Sequence, residues 1–244
     1  MAHISTLSLQ DRSRLVKQLN KLRPINTGSY DYNLAERIGN FVGVSGSMHL
    51  ARGLSNLESQ IPLKKPEQID PNASIDIDKA RNRFLADRHR IIQSVHDSFA
   101  DTQADEQLRV PSAATGVRTE TLLTFAPYQR FYSAHQLNMA VAVDETSDLL
   151  RRSMAAISDK LFRLAELDRL LQESLEAQTR KQYKVSIKVL ERYFKSTLAK
   201  SKEPTDANWI HPFLNIMREM LLAELDTRLQ PTIGLLEALN EYPK

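Results

Sequence analysis

Between Pro127 and Pro204 the chain contains neither a glycine nor a further proline. Nothing in that span removes a backbone donor or favours a left-handed turn, so all of it can run as helix. One rod of this length would measure roughly 110 Å at about 1.5 Å per residue, far more than a compact domain of this size needs. The span therefore predicts two or three long helices folded back on one another. Aromatic residues at 7% and only 7 glycines in 244 residues also argue against an all-β chain with many turns. The expected fold is all-α: long antiparallel helices in a bundle, with a small helical N-terminal unit.

Taken in order, residues 1–58 read as that small unit. Ser8 to Leu22 places Leu9, Leu15, Val16, Leu19 and Leu22 on one helical face, and Pro24 ends the element. A second short helix is expected from Asn33 to Phe41. A third, capped by Ser45 or Ser47, should run to Leu57 carrying Met48, Leu50, Ala51 and Leu54. Residues 59–75 form a proline-rich linker, and residues 76–99 a long helix joining the bundle with Ile77, Ala80, Phe84, Ile91, Val95 and Phe99 inward. Residues 100–119 are polar and aperiodic, which predicts a mobile loop.

The main bundle occupies residues 120–244. Pro127 suits the first turn of a helix reaching Ala156, with Phe131, Leu137, Val141, Leu149, Leu150 and Met154 as inward candidates. Ser158-Asp159 resembles a fresh start, so a tight reversal is expected near Ile157. The following helix loses its apolar pattern over Glu176–Gln182, which favours a second break near Tyr183 to Ser186. Trp209 should anchor a last helix carrying Phe213, Leu214, Met217, Met220, Leu221, Leu225 and Leu229. Pro231 is expected to stop or kink it, with a restart at Thr232.

Little catalytic chemistry is legible. There is no cysteine, hence no disulfide and no thiolate metal site. His89 and His96 share a helix face but lie about 10 Å apart along it, too far to hold one metal ion. The histidines read as surface or half-buried residues. The stretch Gly39–Ser47 has neither the Lys-Ser/Thr pair of a phosphate loop nor the spacing of a nucleophile elbow. Glu166, Asp168, Glu224 and Asp226 read as solvated helix faces paired with arginines such as Arg163 and Arg228. No catalytic residue, metal site or cofactor is expected.

One surface pattern stands out. Lys181, Lys184, Lys188, Arg192 and Lys195 are spaced 3, 4, 4 and 3 apart and so line one face of a helix. The bland account is a solvated face; the functional one is an anionic partner such as nucleic acid, acidic lipid or an acidic protein. Tyr183 or Tyr193 among these cations would add a base-stacking platform. The overall charge of +3 is too small to decide between them.

Three C-terminal stretches carry a family likeness: LLAELDTRLQPTIGLLEALN, FAPYQRFYSAHQLNM and LAELDRLLQESL, joined by AERIGNFVGVSGSMHLARGL near the N-terminus. Together they resemble the proteobacterial family catalogued as domain of unknown function thirty-three forty-eight. That resemblance supplies no catalytic residues. It implies a genomic context beside channel proteins of the MotA/TolQ/ExbB type and beside OmpA-domain proteins.

The expected function is accordingly a non-enzymatic adaptor or scaffold with a channel-type or helical envelope-complex partner. No signal peptide or transmembrane span is visible, so it is expected in the cytoplasm, held at the inner membrane through that partner. A homo-oligomer is compatible with this expectation. The alternative is binding of nucleic acid or another polyanion through the basic helix face.

Overall fold

The computed structural model of the protein describes Arg14, Lys17, Gln18 and residues 46–57, 73–100, 108–112, 118–201 and 207–241. Among these described residues the secondary structure is helical and no strand occurs. The fold is all-α. The helices are α1 (46–57), α2 (Ala73–Ser98), α3 (Thr119–Leu122), α4 (Ala126–Ile157), α5 (Asp159–Lys200) and α6 (His211–Asn240), with a 3₁₀ turn at Ala207–Ile210 leading into α6. The helix expected at Asn33–Phe41, linker residues 59–72, and most of both the Ser8–Leu22 helix and the 100–119 loop lie outside the described residues. Ser47 falls inside α1 rather than at its cap.

The reversal near Ile157 is a single residue. Ser158 separates α4 from α5, and its hydroxyl accepts the Leu161 amide at 3.2 Å, capping the new helix. The second break does not occur, because α5 runs unbroken for 42 residues. The polar stretch keeps its helix through local side chains. Glu176 pairs with Arg180 one turn on, and the Thr179 hydroxyl donates to the Leu175 carbonyl at 3.0 Å. Tyr183 and Ser186, the expected break, are both buried.

Pro231 likewise fails to end α6. Its ring is exposed, while the next residue, Thr232, is buried and shares a 2.6 Å hydrogen bond with the Ser147 hydroxyl of α4. A tertiary contact thus holds the helix through the missing donor.

Two compact units share these helices. The first comprises Met1–Asn26, His89–Val141 and Tyr183–Leu229; the second comprises Thr27–Arg88, Ala142–Gln182 and Gln230–Lys244. In the first, aromatic rings gather around Phe194 of α5. Its centroid lies 5.7 Å from Phe125, 5.4 Å from Tyr128, 5.5 Å from Trp209 and 5.1 Å from Phe213. The starts of α4 and α6 therefore meet the far end of α5, so α5 runs antiparallel to both while α4 and α6 run parallel. Met217, Met220, Leu221, Leu225 and Leu229 of α6 are fully buried there, as their spacing predicts.

Within the second unit, α4 and α5 are again antiparallel neighbours. Arg151 meets Asp168 at 2.6 Å and Asp144 meets Gln172 at 2.8 Å. Helix α1 lies on α5 so closely that a Cβ on Gly53 would collide with the Leu170 side chain.

The inward row of α4 needs one correction. Phe131, Leu150 and Met154 are buried, but Leu137 and Val141 are 65% and 51% exposed. On a helical wheel both fall roughly 160° from the buried row of Tyr132, Met139, Val143 and Leu150, so apolarity alone misplaces them.

Candidate functional site

The most concentrated polar chemistry in the first unit surrounds Glu224. It follows Met217 by seven residues and Leu221 by three, which places it on the apolar face of α6 and gives it no solvent exposure. Both carboxylate oxygens are saturated. Oε1 accepts from Arg228 Nη2 at 2.8 Å and Arg228 Nε at 3.3 Å; Oε2 accepts from the Tyr132 hydroxyl at 3.0 Å and Gln136 Nε2 at 2.9 Å. The Gln136 amide also donates to the Tyr183 carbonyl at 3.1 Å. The Arg228 guanidinium lies 3.8 Å over the Tyr183 ring.

Burial sets the electrostatics of this layer. Desolvation raises the Glu224 carboxyl above its ordinary value, against the lowering effects of Arg228 and the hydrogen bonds it accepts. The Tyr132 phenol is held well above its usual range, first by burial and then by the adjacent Glu224 charge. Burial also pushes Tyr183 up to about 12. A carboxylate with two donors on each oxygen has no lone pair left for an incoming ligand. Such a layer fixes the register of α4, α5 and α6.

Glu224 is therefore not the solvated surface residue its charge suggested, although Arg228 is its partner as expected. Asp168 pairs with Arg151 rather than with Arg163, Glu166 pairs with Arg169, and Asp226 receives Arg14 at 3.3 Å. His135 is also buried, against the expectation for the histidines. Desolvation lowers it to about 4, with the Leu108 carbonyl acting in the opposite sense. Both positions carried a legible signal: His135 shares a face with Phe131 and Met139 at four-residue steps.

The basic face forms as a face. Lys181, Lys184, Lys188, Arg192 and Lys195 are all exposed on α5. Lys195 is engaged by Glu191 at 2.7 Å, and Arg192 Nε donates to the Lys188 carbonyl at 3.4 Å. Tyr183 is not available to stack on a base, because its ring is buried beneath Arg228. Tyr193 is half-buried. Among the described residues no group of three or more histidine and acidic side chains is placed to hold a metal ion, and no helix is long and apolar enough to cross a membrane.

The model of the family described as protein of unknown function (DUF3348) matches residues 1–241. The chain belongs to the DUF3348 family. No curated protein and no solved structure matches it significantly. Within this DUF3348 chain, Tyr132, Gln136, Glu224 and Arg228 fall in the stretches that carry the sequence likeness, whereas Tyr183, Phe194, Trp209 and Phe213 lie between them.

Proposed function

We propose that the protein is a non-enzymatic adaptor that docks a helical partner. The observation behind this reading is the pair Leu137 and Val141, one turn apart on α4 and both more than half exposed. An apolar row left uncovered on the outer face of a buried helix suits an amphipathic helix laid against it. The genomic context implied by the family likeness favours a channel-type or helical component of an ion-driven envelope assembly. On that reading the protein works in the cytoplasm and reaches the inner membrane through its partner.

A photo-crosslinking residue in place of Leu137, introduced at native expression in the host, tests the proposal. The expected product is a discrete heteromeric species containing an envelope-complex protein. It should disappear in a Val141→Glu background whose helicity is unchanged. Recovery of only the uncrosslinked protein overturns the reading.

A second reading rests on the exposure of all five cations of the basic face. Binding of duplex DNA through them would give a log–log salt slope of about −4 to −5 with little sequence preference. Replacing Lys184, Lys188 and Arg192 by glutamate would abolish the gel shift at low salt and leave the helix folded. Absence of a shift with the wild-type protein at about 50 mM salt rules this reading out.

A further inference from the structure

In the second unit, α2 and α4 border an open groove of about 660 Å³ that the Glu224 layer and the basic face do not include. Its floor is apolar, formed by Phe84 of α2 with Leu149 and Leu150 of α4. Thr146 and Ser153 also line it, but each spends its hydroxyl hydrogen on its own helix. Thr146 donates to the Ala142 carbonyl at 2.8 Å and Ser153 to the Leu149 carbonyl at 3.1 Å. The rim carries Lys79, Arg83 and Arg152, and no carboxylate lines the groove among the described residues. Arg83 is anchored through Nε on Asp87 at 3.1 Å, which holds the guanidinium at the edge. Arg152 Nε is held by the Asp148 carbonyl at 3.3 Å.

We infer that this groove receives an acidic amphipathic helix of a protein partner. The inference rests on the adaptor reading and gives it a second, chemically defined surface. Charge complementarity selects the occupant: three cations frame an apolar trough, so the matching ligand has an apolar stripe flanked by carboxylates. Dimensions agree. The α4 wall from Thr146 to Ala156 rises about 15 Å, nearly three helical turns. A lone acyl chain fits less well, because an open trough leaves much of it in water, whereas small apolar ligands are usually about 70–90% buried. A helix needs to bury only one face.

The test uses the full chain and two fluorescent helical peptides. Both carry leucines at i, i+3, i+4 and i+7; one flanks them with glutamates and the other with lysines. The glutamate peptide is expected to bind about tenfold tighter or better, and the preference should shrink as salt rises. Arg152→Glu combined with Lys79→Glu should erase that preference without changing helicity, since both side chains are exposed. Equal affinity for the two peptides overturns the proposal. So does an unchanged glutamate-peptide affinity in the double variant. Anionic phospholipid vesicles and a duplex oligonucleotide are titrated alongside, and tighter binding of either one, lost in the same double variant, reassigns the groove and overturns the helix.

A photo-crosslinking residue in place of Ala156, set against the one at Leu137, separates the two proposals. A crosslink from position 156 that maps to a carboxylate-rich helix of a partner supports the groove. A heteromeric crosslink from position 137 alone overturns the groove and leaves the adaptor reading standing. No heteromeric crosslink from either position overturns both.

Discussion

The two units solve the same problem with opposite charges. Each places a hydrogen-bonded ionic layer where α4 meets α5. In the first, the buried centre is an acid: Glu224 is inaccessible and draws Tyr132, Gln136 and Arg228 around it. In the second, the centre is a base. Arg151 is 9% exposed and gathers Asp168, Asp148 and the Gln172 amide oxygen. The difference lies in access to water. Of Arg151's acidic partners, the Asp148 side chain is 61% exposed and the Asp168 side chain 16%, whereas Glu224 is closed in on every side. Losing a partner should therefore cost more in the first unit, where the orphaned charge cannot rehydrate.

That difference gives the largest expected effect. Arg228→Met strips the buried carboxylate of its counter-charge and should destabilise by about 3–5 kcal/mol. Arg151→Met leaves acids that water can reach, and about 1–3 kcal/mol is expected from the lost charged hydrogen bonds. Urea unfolding of both variants at neutral pH checks the order, and equal losses would erase the contrast between the units. The pH dependence adds a signature. A carboxyl raised in the folded state stabilises most below its unfolded pKa and loses that contribution as pH rises through the folded value. Removing Arg228 raises it further, so the gap between Arg228→Met and wild type should narrow on acidification.

The layers also explain what sequence could and could not reveal. The uninterrupted helix-forming run, the reversal at Ser158 and the apolar stripe of α6 follow from backbone chemistry and period, and the structure has them where the residues put them. Misreadings arose where a polar residue occupies a core position. Glu224 lies in phase with Met217 and Leu221, yet its charge outweighed its register. The expected break at Tyr183 had the same origin, since the helix there is held by polar partners that hydropathy does not see. Leu137 and Val141 are the converse, apolar residues out of phase with the core. Period was the better guide than polarity for Glu224, Leu137 and Val141. The groove between α2 and α4 was not legible, because its walls come from segments some sixty residues apart whose pairing no local pattern specifies.

Histidine sharpens the comparison by contrasting burial with exposure. His135 in the first unit is 2% exposed and edge-on to Phe131 at 4.7 Å. His49 in the second has a half-exposed side chain beside Glu173 at 3.5 Å. A base lowered from 6.5 to about 4 favours folding while neutral. Its contribution is complete above the unfolded value and is lost as pH falls through the folded one. Over that window the wild type should forfeit roughly 3 kcal/mol on account of His135. His135→Phe should flatten this limb of the stability profile, and His49→Gln should leave it in place. An identical acid limb in all three proteins would show that His135 does not govern it.

The smallest effects concern packing, and they probe whether the second unit is equally tight throughout. Gly53 of α1 and Gly234 of α6 are both helical glycines, so alanine should gain about 0.5–1 kcal/mol of helix propensity at either site. Their surroundings differ. At Gly53 the new methyl would press on the δ-carbons of buried Leu170, forcing that side chain to move, and overpacking of this kind costs about 1–3 kcal/mol. Gly53→Ala should therefore lower the melting temperature, and Leu170→Val in the same chain should restore part of the loss by clearing space. At Gly234 nothing stands within 4 Å of the added carbon, so the propensity gain is unopposed. Gly234→Ala should raise the melting temperature by a few degrees at most. A rise at both sites would mean that α1 sits less closely on α5 than the Gly53–Leu170 approach indicates. A fall at both would mean that the turn after Pro231 needs glycine's backbone freedom to stay helical past the missing amide.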